Sequence, residues 1–439
     1  MTLDPRQARA WLDAHVNLET GVGVPARGGA GKRLLAVDRQ RPLMQLLGSP
    51  ELEYPVIHLT GTNGKTSVAR TIAALLGAAG LSTGAYTSPH LSRVNERMVG
   101  NGEPVTDDEL DELLVAVAAV EDLLPDGPSY FEILTAAALR WFGDVAVDVA
   151  IVEVGLGGTG DATNVVDPAV AVVTNVSIDH VEYIGPTLVD IAIEKAGIVK
   201  PGAALVLGET DPELVPFFLA RQPESVVMRD VDFGVRANRL AVGGRVLDLF
   251  TPRAQYDDVF LALHGAHQAD NAVVALAASE AFLGRALDRE LVADAFRDVR
   301  TPGRLEVVGH QPLVLLDGVK NVAGAHALRA ALDEEFADSP RTLVVGLMRE
   351  RDPREMLDAL GASDAARVVC CRPDSPRGQD PRALAEAAYE LGIERARVKV
   401  VDDVHDAVKL AIDVTPADGQ VVITGSLYVV SPARAFLVP

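Results

Sequence analysis

The stretch His58-Leu-Thr-Gly-Thr-Asn-Gly-Lys-Thr-Ser67 constrains this chain more than any other. Before it stands Tyr54-Pro-Val-Ile-His-Leu59, a short apolar run behind a proline. After it, Val68 to Leu76 carries apolar residues at helical spacing and stops near Gly80. A strand, a glycine loop and a helix in that order belong to an α/β architecture. Gly61 and Gly64 have no side chain to hold the backbone of Thr62 and Asn63 away from phosphate oxygens. The helix start offers unpaired N–H groups, and Lys65 reaches outer phosphates as a point charge. A hydroxyl of Thr66 or Ser67 is placed to hold Mg2+. The general phosphate-loop pattern has a glycine five residues before Gly64, where this chain has Leu59, so the loop is a shortened form. A plain strand-to-helix turn capped by Thr and Ser is the alternative. The lysine in register and the correct flanks favour a nucleoside triphosphate.

With 439 residues the chain exceeds one ordinary core, and two domains are expected: 1–300 around the phosphate loop and 301–439 beyond the turn at Thr301-Pro-Gly-Arg304. A hydrophobic fraction of 48% with 23% charged residues is that of a soluble globular protein. The best apolar run, Val145 to Leu156, is broken by Asp148 and Glu153, short of the roughly 18 residues that span a bilayer. Met1-Thr-Leu-Asp-Pro lacks the basic then apolar start of a signal peptide, so a cytoplasmic location is expected and no membrane partner. The only cysteines, Cys370 and Cys371, are adjacent in a strand-like run, which excludes a disulfide framework. A net charge of −22 argues against nucleic acid and makes each cation inside a glycine-rich loop more informative.

Gly21 to Lys32, with Arg27 and Lys32, reads as a glycine-rich loop, either a substrate lid or a plain connection. Thr87-Ser-Pro-His-Leu91 follows a strand ending at Tyr86, and the ends of such strands are where open α/β sheets bind ligands. Thr106 and Glu109 have capping-box spacing before an acidic helix to Leu124. Phe131 and Glu132 begin an apolar helix, where core packing competes with a role in a site. Asp148 to Val154 is a buried parallel strand, and Glu153 inside it is expensive unless paired or bound to metal. Ala169 to Thr174 is another, which puts Asp179-His180 at the same sheet edge as Ser88 and Glu153. Lys195, amid apolar residues of a helix over Ile191 to Val199, is either ion-paired, with Glu194 for example, or a deprotonated amine open to carbamylation. Gly265 to Asn271 opens an alanine-rich helix over Ala272 to Leu283. Beyond Arg304, strands at Leu313–Leu316, Thr342–Val345, Arg367–Cys371, Val398–Val401 and Val421–Thr424 alternate with helices, a second and smaller α/β domain with a mostly parallel sheet.

Taken in order, Gly61 to Ser67, Tyr86 to Leu91, Asn95-Glu-Arg97, Glu153-Val-Gly-Leu-Gly-Gly158, Asp161-Ala-Thr-Asn164, Asp179-His180, Glu194-Lys-Ala-Gly-Ile198, His267-Gln268 with Asn271, Pro302-Gly-Arg304 and Gly425-Ser-Leu-Tyr428 resemble the folylpolyglutamate synthase and dihydrofolate synthase family of the Mur ligase superfamily. The resemblance implies a P-loop central domain of Mur-ligase type plus a Rossmann-like C-terminal domain. It also implies ATP-dependent joining of L-glutamate to a pterin or folate acid by way of an acyl phosphate. Carried over by position, Lys65 holds phosphates, Ser67, Ser88, Glu153 and His180 hold Mg2+ with two metal sites expected, and Lys195 is the carbamylated lysine. Asn271, Arg304 and Asp317 line the nucleotide, and Phe131 and Asp161 the pterin pocket. A monomer is expected. Two departures stand out. Lys320 replaces a histidine of the family, although it retains a charge for a phosphate. Thr159-Gly160 replaces Arg and Leu, implying a less cationic and more flexible loop. They leave open a Mur-type ligase with another acid or amine, and a nucleotide-binding homologue without turnover.

Overall fold

The computed structural model describes residues 3–17, 19, 36–337 and 339–438. The segment Gly21 to Lys32 lies outside the described residues. The chain packs as two compact units: 1–241, 245–262 and 268–299 form the first, and 242–244, 263–267 and 300–439 the second.

The first unit is built on eight strands: β1 (Val56–Thr60), β2 (Thr83–Tyr86), β3 (Met98–Gly100), β4 (Glu103–Pro104), β5 (Val149–Glu153), β6 (Val170–Val173), β7 (Ala204–Leu207) and β8 (Ser225–Met228). Their order is β4-β3-β2-β5-β1-β6-β7-β8. From β2 to β8 every pairing is parallel, and β3 and β4 close one edge antiparallel. Strands buried along their whole length, as β1, β5 and β6 are, need helices on both faces of the sheet. Register assigns the faces. Tyr86, Val152, His58, Ala171 and Leu205 are level with one another. On their side the helix Tyr130–Asp144 buries Ile133, Leu134 and Phe142, and Leu188–Ala196 buries Ile191 and Ala192. Leu59 and Glu153 are level on the opposite side, the side of the helix Lys65–Ala78. Both helices on the first side start with reciprocal caps, Ser129 with Glu132 and Thr187 with Asp190.

The first unit also holds a small sheet in the order β11-β10-β9, of β9 (Gly234–Ala241), β10 (Gly244–Phe250) and β11 (Gln255–Leu261), with β10 and β11 antiparallel. Upstream of it, β7 and β8 complete the large sheet.

The second unit has β12 (Glu306–His310), β13 (Leu313–Asp317), β14 (Arg341–Val345), β15 (Arg367–Cys370), β16 (Val398–Val400) and β17 (Gln420–Thr424) in the order β12-β13-β17-β14-β15-β16. All pairings are parallel except β12 with β13. The chain is thus an α/β protein with two mainly parallel sheets. Both cysteines are buried, Cys370 at the end of β15 and Cys371 just past it, and neither is in a disulfide. Among the described residues no helix is long and apolar enough to cross a membrane.

Candidate active site

Because β2, β5, β1, β6 and β7 run parallel, the segments that follow them emerge along one sheet edge, where ligands of open α/β sheets collect. The loop 61–64 leaves central β1, with Glu153 at the end of one neighbour, β5, and Thr174 to His180 after the other, β6. Ser88 follows β2. Gly64 is the N-cap of the Lys65–Ala78 helix at φ 82°, a left-handed conformation that costs other residues roughly 1–2 kcal/mol. A Cβ there would lie 2.3 Å from Asn271 Oδ1, so the same glycine also admits the helix His267–Leu283. That helix starts five residues earlier than the sequence reading placed it, which puts Asn271 in its first turns rather than in a preceding loop.

Lys65 Nζ donates to the loop's own carbonyls, Gly61 O at 2.8 Å and Thr62 O at 3.3 Å. The hydroxyl that meets Glu153 is that of Thr66, 3.1 and 2.9 Å from the two carboxylate oxygens; Ser67 beside it is buried. The Ser88 amide donates to Glu153 Oε2 at 3.3 Å. Glu153 therefore joins three strand ends while only 2% exposed. His180 stands on the same edge in a left-handed conformation (φ 52°), with Nε2 3.6 Å from Asp179.

Sequence reasoning missed the clamp that shapes the phosphate loop. Asn175 accepts from the Thr62 amide through its carbonyl (2.9 Å) and from the Asn63 amide through Oδ1 (3.0 Å). Its Nδ2 and the Thr174 hydroxyl both donate to Asn63 O, at 3.0 and 2.7 Å. Thr62 Oγ1 donates to Ser177 O and accepts from Ser177 N. The only available signal was a run of short polar residues directly after a buried strand.

A second correction concerns the loop 155–160. Thr159-Gly160 was expected to loosen it, yet the structure ties it to the end of the helix Leu188–Ala196. Glu194 Oε1 accepts from Gly158 N (3.3 Å) and Gly160 N (3.0 Å), and Glu194 O accepts from Thr159 N (2.9 Å) and Thr159 Oγ1 (3.1 Å). The approach is close enough that a Cβ on Gly197 would lie 2.0 Å from Thr159 Oγ1. Glu194 thus serves the loop, and Lys195, 4% exposed, follows it in the same helical turn. Asp161 caps a short turn through Thr163 N (3.0 Å) and Thr163 Oγ1 (2.5 Å) and accepts from Leu156 N (2.9 Å); burial pushes its carboxyl up and these bonds oppose the shift. Phe131 packs on Tyr86, with ring centroids 6.0 Å apart, and fills the space a Cβ on Gly155 would need. Glu132 is taken by its cap and by Arg39 at 2.6 Å, so it is structural.

Arg304, Asp317 and Lys320 belong to the second unit. Asp317 ends β13 with its carboxylate accepting from Leu305 N (2.8 Å) and Val319 N (2.9 Å). Burial pushes its pKa up to about 6 against the opposing charge of Arg304. Lys320 precedes Asn321, which caps the helix Val322–Glu335 by accepting from Gly324 N at 2.8 Å.

The model of the Mur ligase middle domain matches residues 59–279, and that of the Mur ligase glutamate ligase domain matches 303–427. A Mycobacterium tuberculosis dihydrofolate synthase/folylpolyglutamate synthase is 41% identical, with 91% of this chain and 89% of the relative covered. The chain belongs to this family of Mur ligases. A Bacillus subtilis dihydrofolate synthase/folylpolyglutamate synthase is 32% identical over 98% of both chains. Among solved structures, M. tuberculosis folylpolyglutamate synthase complexed with ADP and AMPPCP superposes with a TM-score of 0.90 at 37% identity, covering 99% of each chain. Escherichia coli FolC in complex with DHPP and ADP superposes at 0.85 with 27% identity, covering 98% of this chain and 97% of that one. The family membership settles the fold and the reaction class, an ATP-dependent ligase.

Proposed function

We infer that the chain joins L-glutamate to dihydropteroate, to a reduced folate, or to both, with ATP converting the acceptor carboxylate to an acyl phosphate. The observation that carries this is the meeting of Thr66 with buried Glu153 beside a glycine loop, in a chain of this family. A carboxylate is a poor electrophile. Transfer of the γ-phosphoryl group makes phosphate the leaving group, and the glutamate amine then attacks the acyl carbon, giving amide, ADP and phosphate. In this reading the amides of the 61–67 loop and Lys65 bind the β and γ phosphates, with Asn271 beside Gly64. Nucleotide binding by Arg304, Asp317 and Lys320 is part of the same proposal, with a lysine at 320 donating where the family has an imidazole. Phe131 and Asp161 shape the pterin end.

The residues present fit Mg2+, which takes hard oxygen donors: a carboxylate at Glu153 with hydroxyls at Thr66, Ser67 and Ser88, and His180 on the same edge. When bound, Mg2+ supplies neutralising charge to the triphosphate. A carbamate on Lys195 would give a further anion for a second metal site or for orienting substrate. A cytoplasmic monomer is part of the same proposal.

The test is an acceptor screen with pure protein, ATP and glutamate, measuring phosphate release with dihydropteroate or tetrahydrofolate. Release dependent on glutamate and on at least one of these acids is expected. Release only with some other acid transfers the reading to a different Mur-type ligase. ATP binding without release in any combination leaves a homologue without turnover.

A further inference from the structure

One buried carboxylate at the sheet edge has no part in the chemistry described above. Glu209 lies just past β7, which is separated from β1 by β6 alone, and it is 9% exposed. A carboxylate withdrawn from water is costly unless its oxygens accept hydrogen bonds. Oε1 accepts from two local amides, Thr210 N at 2.8 Å and Asp211 N at 2.9 Å, which closes a local turn. Oε2 instead reaches across to the next loop and accepts from Val176 N at 2.6 Å, which a local turn does not require.

Val176 stands between the two residues that clamp the phosphate loop. Asn175 on one side holds the backbone of Thr62 and Asn63, and Ser177 on the other exchanges two hydrogen bonds with Thr62. Both reach the loop through backbone atoms or short side chains, so their positions follow the backbone at 176. We propose that Glu209 is a positioning residue for ATP: by fixing the Val176 amide it sets the clamp, and through the clamp the direction of the loop amides that bind phosphate. The bond to Val176 is charge-assisted and short, the class of hydrogen bond that contributes most. Phosphate binding by backbone amides depends on their being held in place beforehand, since small misplacements are amplified in rate. The inference rests on the assignment of residues 61–67 to the phosphates of ATP.

Two substitutions isolate the Val176 bond. In Glu209→Gln one end becomes an NH2 that cannot accept, and keeping two local bonds in preference to one distant bond leaves Val176 without its partner. Glu209→Asp keeps the charge and the local turn and is one methylene too short for Val176. Both are measured on full-length protein beside wild type, Asn175→Ala, Glu209→Gln/Asn175→Ala and Lys65→Ala, by ADP affinity, KM for each substrate, kcat and urea unfolding. For both Glu209 variants, KM for ATP and Kd for ADP are expected to rise roughly tenfold, the scale of one charge-assisted hydrogen bond. The KM for the acceptor acid is expected to stay close to wild type while the unfolding midpoint falls, as the loss of one buried hydrogen bond requires; a purely structural role would lower the midpoint without the selective effect on ATP and ADP. The double variant is expected to bind ADP no more weakly than Asn175→Ala alone, because both act through one clamp. Unchanged ADP affinity in both Glu209 variants, or losses that add to that of Asn175→Ala, would overturn the proposal. If Lys65→Ala also leaves ADP affinity unchanged, the phosphate-site assignment fails first, and the inference fails with it.

Discussion

Lys65→Ala is expected to lower kcat/KM for ATP by roughly 10²–10³-fold, the usual scale for removing one donor aimed at charge that develops in a transition state. Lys65 starts its helix, and its ammonium donates to the carbonyls of Gly61 and Thr62 in the loop it serves. The substitution removes a charge and leaves the glycines, the Asn175 clamp and the Thr66–Glu153 contact in place. Stability should therefore change little, since the apolar face of this helix, with Val68, Ile72 and Leu75, is untouched. Steady-state kinetics beside thermal unfolding checks both halves. A kcat/KM within a few-fold of wild type, in a folded protein, would show that the loop does not grip the outer phosphates.

Lys195→Ala is expected to remove most of the activity, by roughly 10²-fold or more if its charged group acts on the substrates. Lys195 is buried near the end of a helix whose neighbouring Glu194 already holds the amides of Gly158 and Gly160. Ile191, Ala192 and Ala196 of the same helix, and Ile198 just beyond it, belong to a buried apolar cluster. If the working form is a carbamate, the lost group is an anion, and short-chain carboxylates should restore part of the rate by occupying the vacated space. A cationic role would give the same initial loss without such rescue. Full activity of Lys195→Ala with no added acid would contradict both.

The features legible in the sequence were those whose cost is local. A carboxylate inside an apolar strand marked Glu153, a lysine after a glycine turn marked Lys65, and capping spacing placed the helix behind Thr106. Strand order was not legible, because β1 lies between β5 and β6 through pairings made across long separations in sequence. The Asn175 clamp and the Glu194 tether were missed for the same reason. Each is a polar side chain meeting backbone more than thirty residues away, and neither leaves a periodic signature. The tether also explains why Thr159-Gly160 misled the sequence reading. A small residue beside Gly197 permits the loop to close on the helix, so the absence of a long side chain here brings contact. Strand β12 was overlooked because it is only half-buried and starts with Glu306, which the structure pairs with Arg434 at 2.9 Å.

The most direct measurement labels the acceptor's carboxylate with heavy oxygen and analyses the inorganic phosphate formed as glutamate is joined, by mass spectrometry. Transfer of one labelled oxygen to phosphate for each amide formed is the expected result, because the acyl phosphate carries that oxygen away with its leaving group. Amide formed with the departing labelled oxygen recovered in water, and none in phosphate, would contradict ligation through an acyl phosphate.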